Sequence, residues 1–346
     1  MPSGPGPPSG DGCFGLVTPP TTKCMSSSAT SESGGPDYVR PNFPVKSSAR
    51  SQRNQAIMVS LLIGCALVTL GTTVGIIYML IKESMGFFAG EGINLWDFLT
   101  GTTWSVGRKD EFEYGILPLL SGTLRITFIA MMLALPLGLI TAIYLSEYAP
   151  KSVRAILKPT LEILAGIPTV VLGFFAVKFI TPTLLAPLSD AFKTFNATAA
   201  GIAVGILCIP LVASLAEDAL RAVPRALREG AYGLGSTKLE TTLKVIVPAA
   251  LSGIISAFLL AVARAIGETM VVALAAGSSP SFTLDPRGPS QTMTGFIVHT
   301  FQSESVVPGT PGYFSIYAVA AMLFLITFAI TLIGQIVRKR YREEYN

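Results

Sequence analysis

Long apolar runs follow one another along the chain from residue 56 onward. Six of them reach the length of about 20 residues that a helix needs to cross the hydrocarbon core of a bilayer. They cover residues 56–81, 123–145, 161–180, 197–220, 249–276 and 313–337. The runs are apolar on all sides and do not alternate as β-barrel strands do. The pattern therefore predicts an all-α integral membrane protein with six transmembrane helices.

The first 55 residues differ from the rest because they are rich in Pro, Gly, Ser and Thr. Such a composition cannot bury enough apolar surface to offset the entropy lost on ordering. The segment also lacks the charged start and short apolar core of a secretory signal. We therefore divide the chain into a disordered cytoplasmic tail, residues 1–55, and a transmembrane domain, residues 56–346.

Lys and Arg are distributed unevenly between the predicted loops. If the N-terminus is cytoplasmic, most of them fall in inner segments, which cover residues 46–53, 151–158, 221–244 and 338–342. Cytoplasmic loops of membrane proteins carry such an excess of positive charge. We expect a multi-pass membrane protein with both termini in the cytoplasm. Outer Trp96 and Trp104 are interpreted as interfacial anchors, and Arg125 as a side chain that reaches the outer headgroups.

Composition excludes several classes of function. Only 13% of the 346 residues are charged, against about 25% in soluble domains, so a water-soluble enzyme is not expected. One histidine and four cysteines without metal-ligand spacing predict no metal and no cofactor. No G-x-x-x-x-G-K-[ST] sequence is present, so ATP binding by a P-loop would need a separate subunit. We also expect membrane lipid, and no nucleic acid, as a partner.

The inner loop at residues 221–248 is more than a hydrophilic linker. Residues 225–232 are predicted to form a short helix, which Gly233 and Gly235 end by allowing a turn. Ser236 is the predicted N-cap of a second helix. That helix would carry an apolar stripe on one face, formed by Leu239, Leu243 and Ile246. Two short helices would thus form a compact knob on the cytoplasmic face.

This loop resembles the coupling motif of type I ABC importer permeases, which reads Glu-Ala-Ala, three residues, Gly, nine residues, then Ile-x-Leu-Pro. Glu229, Ala231, Gly235 and Pro248 match at full spacing, and Gly230 replaces the first Ala. The resemblance implies the MetI-like fold and a loop that docks on a dimer of cytoplasmic ATP-binding subunits. The alternative is an ordinary helical hairpin at the membrane surface.

A second segment indicates which group of these permeases the chain resembles. Residues 263–270, Ala-Arg-Ala-Ile-Gly-Glu-Thr-Met, are similar to a segment of phosphate-importer permeases. Supporting similarities lie at residues 99–104, 115–124, 165–171 and 338–345. The long first outer loop and Met270 favour the PstC-type subunit over its PstA-type sister. The resemblance implies a permease subunit of an ATP-driven inorganic phosphate importer in the inner membrane of a bacterium, with a sister permease and an external phosphate-binding protein as partners.

Arg264 and Glu268 carry charge inside the fifth predicted span. Each would cost about 2.5–3.5 kcal/mol at a helix centre if unpaired. A spacing of four places them on one helix face, where they can pair. That face either borders the substrate pathway, together with Thr269, or holds a structural ion pair. Arg suits phosphate because its planar fork presents fixed donors and stays charged.

Pro168 and Thr169 follow Gly166 inside the third predicted span. They either open the helix toward the pathway or merely kink it. Three rival functions remain at this point, the last two of which need no ATPase. One is a permease for another oxyanion, such as sulfate or molybdate. The second is a six-span transporter or channel, and the third is a membrane-anchored signalling partner.

Overall fold

The computed structural model describes residues 49–90, 93–105, 113–303 and 309–340. Contacts divide the chain into two units, Met1–Ile63 and Gly64–Asn346, and in the first only the start of one helix is described. The helices of the first half are α1 Ala49–Gly90, α2 Leu95–Thr100, α3 Leu117–Ile143, α4 Lys151–Ala165, α5 Thr169–Phe175 and α6 Ala197–Arg221. Those of the second half are α7 Arg225–Gly233, α8 Lys238–Thr241, α9 Val247–Ala249, α10 Leu251–Ile266, α11 Met270–Ala275, α12 Met293–Gln302 and α13 Pro311–Arg340.

Three π-helical segments continue these helices, and the described chain also contains one small sheet. The π-helical segments are Tyr144–Tyr148 after α3, Ala176–Leu185 after α5 and Thr242–Ile246 after α8. The sheet pairs β1, Trp104–Ser105, with β2, Glu113–Tyr114, in antiparallel register. The described part of the chain is therefore helical apart from this short hairpin and the connecting loops.

Four helical segments are each long and apolar enough to cross a membrane. They are Arg53–Ala89, Leu117–Tyr148, Ala197–Arg221 and Gly312–Lys339. Two further spans appear only if a bent pair counts as one, namely Lys151–Ala165 with Thr169–Leu185 and Lys238–Ala249 with Leu251–Ile266. The pairs bend by 87° and 70°. The all-α membrane class is confirmed, and the described residues hold four to six spans.

The third and fifth predicted spans are not continuous helices. The third is interrupted at Gly166–Pro168 because proline lacks an N–H and disfavours helix in the residue before it. The run at 249–276 is interrupted between Ile266 and Met270. Hydropathy detects apolar length but not a change of direction. Residues 49–55, which we assigned to the tail, begin α1, and residues 1–48 lie outside the described part.

The centre of the second unit is the α3–α6 pair. A Cβ added to Gly201 would lie 2.7 Å from the Ile129 side chain, and one on Gly138 would lie 2.6 Å from Val212. Glycine thus allows the two backbones to approach closely, as small residues do between membrane helices. Of the most apolar 18-residue stretch of α6, 67% is buried, whereas none of the corresponding stretch of α1 is buried. The α6 helix is therefore a core helix, whereas α1 presents its apolar surface outward.

An aromatic cluster closes one end of this unit. Its members are Phe87, Phe98, Trp104, Tyr114 and Phe296. Trp104 is only 6% exposed, so its predicted role as an interfacial anchor is wrong, whereas Trp96 is 73% exposed. The hairpin β1–β2 carries Trp104 inward, and a periodicity argument could not detect so short a sheet.

Candidate functional site

The break between α10 and α11 places Glu268 outside any regular helix. The α10 helix ends at Ile266, and α11 begins at Met270. The buried Glu268 is held from both sides: Thr294 Oγ1 donates to its carbonyl oxygen at 2.7 Å, and the Val271 N–H donates to its Oε1 at 3.5 Å. The carboxylate therefore caps the half-helix that follows the break.

The predicted pairing of Arg264 with Glu268 is wrong. Within the part of the chain that the structure describes, no ion pair or hydrogen bond joins these two side chains. The spacing of four brings side chains together only on an unbroken helix, and α10 ends before Glu268. Arg264 lies exposed in the last turn of α10, while Thr269 donates its hydroxyl to the Gly267 carbonyl at 3.1 Å.

The break in the third span is the counterpart of this one. Pro168 is exposed, and Thr169 is the first residue of α5. The 87° change of direction supports the broken-helix alternative over a simple kink. The half-helices after the two breaks pack together, since a Cβ on Gly173 would lie 3.1 Å from the Leu274 side chain. Broken helices in membrane proteins are tolerated where they are buried in protein or line a cavity.

Arg264 contributes to a cavity of about 360 Å³ between α4, α6 and α10. Lys158 and Glu217 line the same cavity, and neither was identified from the sequence. The other lining residues are Leu161, Glu162, Ala165, Leu207, Pro210, Leu211 and Ser214. The structure therefore brings Arg264 together with Lys158 and Glu217, and Glu268 does not line this cavity.

Glu217 is the most enclosed charged group of this region, with a side chain that is 1% exposed. It makes ion pairs with Arg154, with Arg221 at 3.3 Å and with Lys158 at 3.8 Å. Its Oε2 accepts no hydrogen bond within the described residues. The cluster ties α4 to α6 and carries an excess of positive charge. The adjacent carboxylates Glu217 and Asp218, near the end of the apolar run of α6, were the available sequence signal.

The inner loop has the predicted two-helix form. The first helix is α7, and Gly235 follows it with a φ of +86°, a left-handed conformation that favours glycine. Glu229, Gly230 and Pro248 are exposed, while Ala231 is buried. The residues of the predicted coupling motif thus surround one exposed turn, with Ala231 facing inward.

The N-cap of the second helix differs from prediction, and the exposure of its apolar stripe was not predicted. Its N-cap is Thr237 rather than Ser236, because Thr237 and Glu240 form a reciprocal capping box. The expected stripe is buried only at Ile246, whereas Leu239 and Leu243 are exposed. Leu234, in the turn, is 90% exposed. The knob therefore presents apolar side chains on its outer surface instead of burying them against the bundle.

Two contacts attach this loop to the end of the α3 span. Arg228 pairs with Glu147 at 2.9 Å and also donates to the Leu220 carbonyl at 2.7 Å. The Lys238 ammonium lies 4.8 Å from the centre of the Tyr148 ring, a cation–π distance. Glu147 and Tyr148 belong to the π-helical segment Tyr144–Tyr148. Both helices of the knob are thus anchored at one place.

Arg125 does not reach for headgroups as expected. It donates to the Asp285 carbonyl at 2.7 Å and to Ser290 Oγ at 2.9 Å, so it fastens the segment between α11 and α12. In that segment, hydrogen bonds from Arg287 lower the pKa of the Asp285 carboxyl. Local composition could not reveal a contact between residues 160 positions apart in sequence.

Comparison with known proteins agrees with this geometry. Residues 134–343 match the family of the binding-protein-dependent transport system inner membrane component. The probable ABC transporter permease protein YqgH of Bacillus subtilis is 30% identical over 80% of this chain and 88% of its own. The phosphate transport system permease protein PstA 1 of Mycobacterium tuberculosis is 33% identical over 66% and 72%. The probable PstC of Methanocaldococcus jannaschii is 31% identical over 73% and 83%.

Solved structures show the same fold. A chain of a bacterial alginate ABC transporter, in complex with a pentasaccharide-bound periplasmic protein, superposes with a TM-score of 0.59 at 14% identity, covering 85% of this chain and 98% of that one. A chain of the MetNI methionine ABC transporter gives 0.50 at 17% identity, covering 66% and 95%. The chain therefore belongs to the family of inner membrane components of binding-protein-dependent transport systems and is a permease subunit of an ABC importer.

Proposed function

We propose that this permease carries inorganic phosphate and that the cavity beside Arg264 is part of its pathway. The observation that carries the proposal is the placement of Arg264, which makes no ion pair with a described residue and lines one cavity with Lys158. Relatives named as phosphate permeases support it. An uncompensated guanidinium in a membrane span is costly unless it meets water or an anion.

The chemistry of the cavity suits a protonated oxyanion. Arg264 supplies a planar fork of donors, and Lys158 supplies a mobile ammonium. Glu217 lines the same cavity and pairs with Lys158 through its buried Oε2 at 3.8 Å, so movement of Lys158 toward a bound anion would free this oxygen to accept a hydrogen bond from a protonated phosphate oxygen. Sulfate carries no proton at neutral pH, so it could not donate a hydrogen bond to the Glu217 carboxylate. The cavity therefore favours phosphate over sulfate, the rival oxyanion.

The same proposal covers the partners. The exposed turn at Glu229–Gly235, with its apolar Leu234, would dock on a cytoplasmic dimer of ATP-binding subunits. A sister permease would complete the pathway, and an external phosphate-binding protein would deliver the anion. Both termini would then lie in the cytoplasm. This assignment favours the PstC-type subunit, on the sequence following Glu268 and the long first outer loop.

Uptake of radiolabelled phosphate into cells that lack their own permease tests the proposal. Arg264→Gln should abolish uptake at matched membrane levels, and Arg264→Lys should retain a fraction, because Lys keeps the charge but loses the fork. Excess sulfate should not compete in the wild type. Equal competition by phosphate and sulfate would refute the choice of anion.

The double change Arg264→Gln with Glu268→Gln tests the structural alternative. Because the two side chains do not pair in the structure, the second change should not restore uptake. Recovery in the double variant would mean that Arg264 only neutralises Glu268. Assembly with the ATP-binding subunit, measured by co-purification, must be normal in all three variants for the comparison to count.

A further inference from the structure

A groove on the surface of the second unit has an apolar part and a basic part. The apolar part is a cavity of about 360 Å³ between α6, α10 and α13, and the polar part is a cavity of about 600 Å³ at the end of α13. The two cavities share Gly253, Ser256, Gln335 and Arg338. They therefore adjoin and form one elongated groove along α10.

Small residues make this groove possible. A Cβ on Gly253 would lie 2.4 Å from the Ala219 Cβ of α6, and a Cβ on Gly334 would lie 2.9 Å from Leu259 of α10. The α10 helix thus touches a neighbour closely on each side. Between these contacts the groove is lined by short side chains such as Ala257 and Ala263, which leave room beside Leu260.

The polar end of the groove is positively charged. Arg338 and Lys339 line it, together with the hydroxyls of Ser252 and Ser256. Both cations are exposed, and neither makes an ion pair with a described residue. Of the described residues that line either cavity, none is acidic. The uncompensated charge lies in the last turns of a transmembrane helix, at the level where lipid headgroups lie.

We infer that this groove binds one anionic phospholipid. The headgroup phosphate would lie between Arg338 and Lys339, with the Ser252 hydroxyl as a further donor, and one acyl chain would follow Leu260 and Ala263. Basic pockets between transmembrane helices bind acidic headgroups in this way. The site is separate from the cavity of Arg264, so it does not depend on the identity of the transported anion.

A second copy of the chain is the other occupant to consider, since α1 is apolar and outward-facing. Between Arg53 and Lys82 this helix holds no acidic residue that could pair with Arg338 and Lys339. An anionic headgroup supplies the missing negative charge, so charge complementarity favours the lipid.

The experiment measures lipids retained by the purified permease after reconstitution in nanodiscs of equal phosphatidylglycerol and phosphatidylcholine. Wild-type protein should retain phosphatidylglycerol preferentially in native mass spectra. Arg338→Gln with Lys339→Gln should lower that preference by about fivefold for each charge removed. Thr331→Phe, which fills the apolar part from an exposed position, should reduce retention of both lipids.

Lys151→Gln is the matched control, because Lys151 is exposed at the start of α4 and does not line the groove. It should leave the preference unchanged. Equal retention of the two lipids by the wild type, or an unchanged preference in the double variant, would overturn the inference. So would a disulfide between Leu260→Cys and Cys65 of a second copy, formed with Cys13 and Cys24 replaced, because it would place α1 of that copy in the groove.

Discussion

At the residue scale, Gly235 and Glu217 are the two positions at which the type of residue matters most. The first sits in backbone space that other residues avoid, and the second is a carboxylate enclosed by cations. Neither requirement is a matter of hydrophobicity, so each can be tested by a substitution that leaves the membrane spans intact.

Gly235→Ala should weaken the coupling turn. The left-handed conformation costs an L-residue about 1–2 kcal/mol, although nothing lies within 4 Å of a Cβ at this position. We expect reduced co-purification of the ATP-binding subunit with normal membrane insertion. Gly230→Ala is the matched control, because Gly230 is equally open but lies within α7, where alanine is favoured. Equal loss in both variants would argue against a conformational role.

Glu217→Gln should destabilise the permease strongly. Removing one partner of a buried ion pair typically costs about 3–5 kcal/mol, and here three cations would lose their counter-charge. Thermal unfolding of the detergent-purified protein measures the effect. Glu162→Gln, at an exposed position of the same cavity, should change the unfolding temperature little. Similar shifts in the two variants would contradict this assignment.

At the element scale, the contact between the knob and the end of the α3 span should transmit force. Glu147→Gln and Arg228→Gln should each reduce ATP-driven uptake, and the double variant should lose little more, since both remove one ion pair. Arg225→Gln, exposed at the start of α7, serves as the control. Additive losses in the double variant would show that the pair does not act as a unit.

The sequence predicted which segments are membrane helices, but it did not predict where these helices change direction. Apolar length identified the runs because the bilayer sets that length. The break at 267–269 escaped the same reasoning, and the segment at 166–168 was predicted only as either an opened helix or a kink, since glycine and proline are common in unbroken membrane helices. The Arg264–Glu268 pairing failed for this reason. Arg264 itself was found because a charge in an apolar run is conspicuous, whereas Lys158 lies in an ordinary basic loop sequence and became informative only through the cavity.

The inner loop at residues 221–248 was likewise predicted only in part. Its spacing predicted α7 and the glycine turn, because a backbone that needs positive φ imposes a residue type. The exposure of Leu239 and Leu243 could not be predicted, because an apolar stripe does not reveal whether its partner belongs to the same chain. The ATP-binding subunit proposed above would be such a partner.

At the scale of the whole molecule, the N-terminal tail should be dispensable. Deleting residues 2–45 leaves α1 complete, since that helix begins at Ala49, and it keeps Lys46, Arg50 and Arg53. We expect phosphate uptake within about twofold of the wild type, because orientation follows the charges near the first span. Deleting residues 2–53 removes these charges and should lower correct insertion, measured by protease accessibility. Loss of uptake in the shorter deletion with normal insertion would contradict the prediction.

The glycine contacts between α3 and α6 bear on how the permease moves. Val212 packs against Gly138 and Ile129 packs against Gly201, so sliding of one helix past the other would produce a clash, and we expect the two helices to move as one rigid body. The knob is anchored at one end of this pair, through Arg228 and Glu147. A force applied there would tilt both helices together, and bending would concentrate at the two interruptions, where the continuous helix is broken. The two broken spans would then act as the hinges about which the permease changes conformation.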